Sequence, residues 1–188
     1  CDIFDMEDLG LAKYALGIRI TQSKGSISLV QDKYIHNMLD EFNIANNKST
    51  AIPLPSNWKQ LKFMPSEKPK FPPFNYRRVV GLVQWLVQCS RPDLAFALSF
   101  LSQFLEEPLD CHYNAARHVL RYISATKDQQ LVLGQNDLDH QFNHLYGFSD
   151  SDWNGSKTWN SYSASVIYFH GTIGWRSHKQ QTVALSSA

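Results

Sequence analysis

The chain has 188 residues, 18 Lys+Arg against 17 Asp+Glu, and a net charge of +1. With 43% hydrophobic and 19% charged residues it reads as globular, not disordered. The near-zero total excludes a strong global field, so any affinity for nucleic acid has to come from local patches.

The three cysteines, Cys1, Cys89 and Cys111, form neither a disulfide framework nor a zinc spacing. They fit a reducing, intracellular setting. No apolar run is long enough for a membrane span. Cys1 in place of Met, and Ala188 straight after an apolar run, read as cuts in a longer open reading frame.

In chain order, an acidic start (Asp2, Asp5, Glu7, Asp8) leads into Tyr14–Ile20, where Leu16, Ile18 and Ile20 are expected on one strand face. Ser23–Ser26 supplies a turn and Ile27 and Leu29 a return strand, so a β-hairpin is predicted. Asp32 is the expected N-cap of a helix carrying Tyr34, Ile35, Met38, Leu39 and Phe42. Residues 44–91 then carry eight bases against Glu67 alone, and six of the eight prolines. Proline this dense blocks regular structure. Residues 46–73 are therefore read as an extended, basic, exposed linker.

Three further helical stripes follow: Tyr76, Val79, Val80, Val83 and Val87; Leu94, Ala97, Leu98, Leu101 and Leu105; and Ala115, Ala116, Val119, Leu120 and Ile123. After residue 129 the period becomes that of strands, at Leu131–Leu133, Leu145–Phe148, Ser165–Phe169, Thr172–Trp175 and Thr182–Leu185, with a turn at His170-Gly171. The predicted fold class is α+β.

Phe148-Ser-Asp-Ser-Asp-Trp-Asn-Gly155 is the sharpest chemical feature. Asp150 and Asp152 would share a strand face, and carboxylates there suit Mg²⁺. Asp, Ser, Asn and Gly are equally the residues that end a strand in a turn. The same run matches half of an EF-hand loop, but Ser161 stands where the closing acid belongs. Arg77 and Arg78 in the basic stretch, and Arg117 and Arg121, four apart on the polar side of the third of these helices, are candidate nucleic-acid contacts. A solvated surface accounts for them as well. The seven histidines receive no role.

Taken together, Phe4–Gly10, Leu16–Ile20, Gln31–Ile35, Tyr76–Gly81, Ser90-Arg-Pro-Asp-Leu94, Leu120-Arg-Tyr122 with Thr126, Gly147–Trp153, Gly171, Trp175 and Val183–Ser187 resemble, collinearly, the Pol polyprotein of copia-type retrotransposons. The resemblance implies that 1–30 is the end of a reverse-transcriptase palm with a primer-grip-like hairpin. It makes 31–128 a helical thumb or connection and 129–188 the opening strands of a ribonuclease H-like mixed sheet. Asp150 would be the first ribonuclease H acid and a Mg²⁺ ligand, with Asp152 its neighbour. The implied partners are an RNA–DNA hybrid or template–primer duplex and the rest of the polyprotein, in a cytoplasmic particle or the nucleus. One departure is internal: Ser161-Tyr-Ser-Ala-Ser165 stands where the family has an Arg-Ser-Thr-Ser-Gly-like run. The polymerase Asp pair and the later ribonuclease H acids are not in this sequence, so the chain by itself is expected to be inactive. A non-catalytic nucleic-acid-binding module and a decayed relic are the alternatives.

Overall fold

The computed structural model describes residues 10–44, 50–62, 66–134, 144–152 and 160–181. The expected strand at 182–185 and the acidic start lie outside them. The architecture is mixed α+β, with two antiparallel sheets and a helical core.

The first sheet has the order β1 (Tyr14–Ala15), β2 (Ile18–Ser23), β3 (Ser26–Val30), β4 (Leu131–Leu133). Ser23 pairs with Ser26 across Lys24-Gly25, and Gly25 takes the left-handed φ of +79° that such a tight hairpin requires. Leu16 departs from expectation. It does not extend the face of Ile18 and Ile20 but occupies a second tight turn with Gly17, at φ +51° and 81% exposed. Gly17 breaks the alternation there.

Four helices follow: α1 (Asp32–Glu41), α2 (Tyr76–Cys89), α3 (Ala95–Leu101) and α4 (Asp110–Ala125). Asp32 is the first helical residue of α1, not its cap; Gln31 holds the cap position. The Asp32 carboxylate instead accepts from the Lys33 amide and pairs with Arg19 of β2 at 2.9 Å, tying helix to hairpin. Asn75 caps α2 by accepting from the Arg78 amide at 3.0 Å. The α2 stripe Val79, Val80, Val83 and Val87 is buried against Ala97, Phe100 and Leu101 of α3 and Ala116, Val119, Leu120 and Ile123 of α4. Helices with one apolar face each cover the others in this way.

The Pro-rich stretch is irregular but not uniformly exposed, which corrects the linker reading. Leu54 and Leu61 are buried, and the Trp58 ring meets Phe96, Phe100 and Tyr162 edge-on at 4.9, 5.7 and 6.1 Å. Proline removes backbone donors without preventing side chains between the prolines from entering a core.

The second sheet has the order β5 (Tyr146–Ser151), β6 (Tyr162–Tyr168), β7 (Thr172–Lys179). It docks on α3, and the Trp175 indole donates to the Val87 carbonyl at 2.7 Å. Leu131–Leu133, expected to open the β-rich tail, pairs with β3 of the first sheet. A bridge from Leu133 to Gly171 also joins it to the second sheet. No described helix is long and apolar enough to cross a membrane.

Candidate functional site

The register of the second sheet sets the site. Phe148 faces Val166 and then Trp175, and Asp150 faces Ala164 and then Ser177. Side chains alternate along strands, so these residues share one face. That face forms one wall of a groove of about 610 Å³ whose other wall is Trp58, Lys59, Pro92, Asp93 and Phe96. Asp150 and Asp152 both line it, together with Arg176.

The two acids differ in what holds them. Asp150 is exposed and accepts the Ser151 amide at 2.8 Å. Asp152 is committed to the sheet: its carboxylate accepts the Tyr162 amide at 2.6 Å, and its own amide donates to the Tyr162 carbonyl at 3.1 Å. Asp152 is thus a strand-end clamp, and Asp150 the carboxylate presented to the groove. Among the described residues no three His, Cys, Asp or Glu gather as a metal cage. The EF-hand reading fails on its flanks: β5 and β6 are paired antiparallel strands, whereas an EF-hand needs helices. Asn154 and Gly155 lie outside the described residues.

The basic candidates do not form one surface. Arg78 forks onto Glu41 at 3.1 and 3.2 Å, so its charge is already matched. Arg77 donates to the Leu105 carbonyl at 3.1 Å. Arg117 and Arg121 line a different pocket, on α4, and Arg117 lies over the Phe74 ring at 5.8 Å.

Sequence reasoning missed a polar knot beneath the groove. Arg91 is 1% exposed. Its guanidinium donates twice to the Asp93 carboxylate, at 2.9 and 2.7 Å, and to the Thr126 hydroxyl and carbonyl at 2.7 and 3.2 Å. The Tyr122 hydroxyl adds a third bond to Asp93 at 3.0 Å. Burial first, and the neighbouring Asp93 second, push the Tyr122 phenol above its ordinary pKa, so it stays protonated and donating. Beside the knot the Ser90 hydroxyl donates to Gln31 at 2.7 Å, joining the start of α1 to the end of α2. Ser90, Arg91, Asp93, Tyr122, Thr126 and Gln31 all belong to the motifs quoted above. The available signal was an arginine and an aspartate flanking one proline, since Pro92 starts a turn that lets both side chains fold onto each other.

The reverse transcriptase (RNA-dependent DNA polymerase) family matches residues 1–56. The retrovirus-related Pol polyprotein from transposon TNT 1-94 of Nicotiana tabacum is 34% identical over 98% of this chain, which covers 14% of that protein. The Pol polyprotein from transposon RE2 of Arabidopsis thaliana is also 34% identical, over 93% of this chain and 12% of its own length. An uncharacterized mitochondrial protein of Arabidopsis thaliana is 32% identical over 98% of this chain and 74% of its length. No solved structure gives a significant match. The chain spans less than a sixth of the polyproteins it matches, but in each case the match runs nearly its whole length. By that collinear identity the chain belongs to the copia-type retrotransposon Pol polyprotein family.

Proposed function

We propose that this chain is the part of a retrotransposon Pol polyprotein that runs from the end of reverse transcriptase into the start of ribonuclease H. The whole protein copies element RNA into DNA and cuts the RNA strand of the hybrid. The helical region holds the template–primer or hybrid duplex, and Asp150 supplies the first carboxylate for Mg²⁺. The observation that carries this reading is the contrast between the two acids. Both are exposed at the groove, but Asp152 is tied across the sheet to the Tyr162 amide, whereas Asp150 accepts the amide of its neighbour Ser151.

Two Mg²⁺ ions need several carboxylates to share their charge. The chain by itself brings Asp150 alone to that task and is inactive. The deciding experiment measures Mg²⁺-dependent cleavage of an RNA–DNA hybrid by the isolated chain and by the parent polyprotein. Expected are no cleavage by the chain, loss of cleavage in the polyprotein with Asp150→Asn, and retained cleavage with Asp152→Asn once folding is matched. Cleavage by the isolated chain, or a polyprotein indifferent to Asp150→Asn, overturns the reading.

A further inference from the structure

On the exposed side of α4, away from the groove, lies a pocket of about 380 Å³. Its polar lining is Asn57, Asn114, Arg117, His118 and Arg121, and no carboxylate lines it. Two guanidinium groups four residues apart repel each other, and an acid between them would be the ordinary remedy. Glu41 is paired with Arg78 and Glu107 with Lys68, and Asp110, one turn before Asn114 on α4, does not line the pocket. The Arg121 Nε is buried with no hydrogen-bond partner, an unusual state for a guanidinium donor. His118 is fixed, with Nε2 3.0 Å from the Ile52 carbonyl. A carbonyl only accepts, so Nε2 carries the hydrogen. Arg117 is braced over Phe74. Leu61 closes the pocket on its apolar side. The Pro-rich segment thus builds half of the pocket, and α4 builds the cationic half.

We propose that this pocket binds a phosphate group. A tetrahedral phosphate oxyanion would suit two guanidinium groups in a pocket without a carboxylate, and take further bonds from the Asn57 and Asn114 amides. Inorganic phosphate, a mononucleotide and a nucleic-acid backbone all present that chemistry. The site stands apart from Asp150 and does not depend on any cleavage.

Titration calorimetry and thermal melting of the full chain at low salt, with inorganic phosphate as the probe and chloride as the control, test it. Expected is saturable phosphate binding with a rise in melting temperature. Arg121→Gln should weaken the binding by about tenfold or more, the effect of losing a charge-assisted bond. Should Arg121→Gln fold poorly, Asn114→Asp serves in its place. Asn114 is exposed, and the change puts a negative charge at the pocket mouth while keeping size and fold. Arg176→Gln, which is not at the pocket, should leave phosphate binding unchanged.

A mononucleotide and a short RNA–DNA hybrid complete the set. If Asn114→Asp weakens all three ligands, the pocket takes a phosphate of the duplex backbone. If it weakens phosphate and nucleotide only, the pocket serves free phosphate esters and the duplex lies elsewhere. No binding of phosphate above chloride, or equal binding by Arg121→Gln and Asn114→Asp, overturns the proposal. Hybrid binding that persists in that case leaves the reverse-transcriptase reading standing.

Discussion

Arg91 and Asp93 face each other across a single proline in a bidentate pair with bonds of 2.9 and 2.7 Å, the arginine almost wholly buried. The pair occurs where the turn after α2 meets the end of α4, so it fixes the angle between two helices of the core. Removing one partner strands the other. Arg91→Ala or Asp93→Asn should destabilise the chain by about 3–5 kcal/mol in urea unfolding, as for other broken buried pairs. Arg91→Lys should recover little, because an ammonium cannot form the fork and reach Thr126 as well.

The Pro-rich stretch supplies a second prediction. Were it a solvated linker, Trp58→Ala would change stability by less than about 0.5 kcal/mol. With Trp58 half-buried against Phe96, Phe100 and Tyr162, the loss should be about 1–3 kcal/mol. Near-UV circular dichroism should fall with it, and protease cleavage within 50–62 should speed up.

His112 predicts a pH dependence. Its ring stacks on Phe104 at 3.6 Å, and its Nδ1 accepts the Leu109 amide at 3.0 Å, closing the first turn of α4. Burial pushes its pKa below the ordinary 6.5; the Leu61 carbonyl, too poorly placed to be a hydrogen-bond partner of Nε2, offsets this only in part. The folded state therefore holds a proton less readily than the unfolded chain. The stabilisation is complete above pH 6.5 and is lost as pH falls through the lower folded value. Urea midpoints for the parent and for His112→Gln, measured at pH 7.5 and stepwise downward from 6.5, check this. The parent should lose more stability than the variant, and equal slopes would contradict it.

Gly171 gives a fourth. It sits at φ +135°, and an added Cβ would lie 2.7 Å from the Val132 carbonyl oxygen and 2.9 Å from the Leu133 Cα, both backbone. Gly171→Ala should cost about 1–3 kcal/mol through the strained backbone alone, with the clash in addition. Amide exchange at β4 should accelerate before exchange in α2 does.

The helices were legible because each is amphipathic: the spacing of Tyr76, Val79, Val80, Val83 and Val87 admits only one buried face. The hairpin turn at Lys24-Gly25 was legible from its glycine. Leu16 was not, because an apolar residue in a turn breaks no local rule strong enough to announce it. The exposure of the Pro-rich stretch was misjudged because proline reports on backbone bonding and is silent on where Trp58 points. At the site, the spacing suggests that Asp150 and Asp152 share a strand face, and both line the groove, but the bond that distinguishes Asp152 comes from the Tyr162 amide, ten residues further on. The Arg91 knot joins residues up to 35 apart, and only folding brings them together.

The pairing of β4 with β3 sets Leu131 opposite Leu29, so everything between them, all four helices included, leaves one strand and returns on its neighbour. Two adjacent strands are about 5 Å apart. The helical block thus hangs from the hairpin like a pendant on a clasp whose halves nearly touch. The loop it closes is roughly a hundred residues, and the entropy of closing it is recovered only once the helices have packed. In a folding experiment the clasp should therefore shut last.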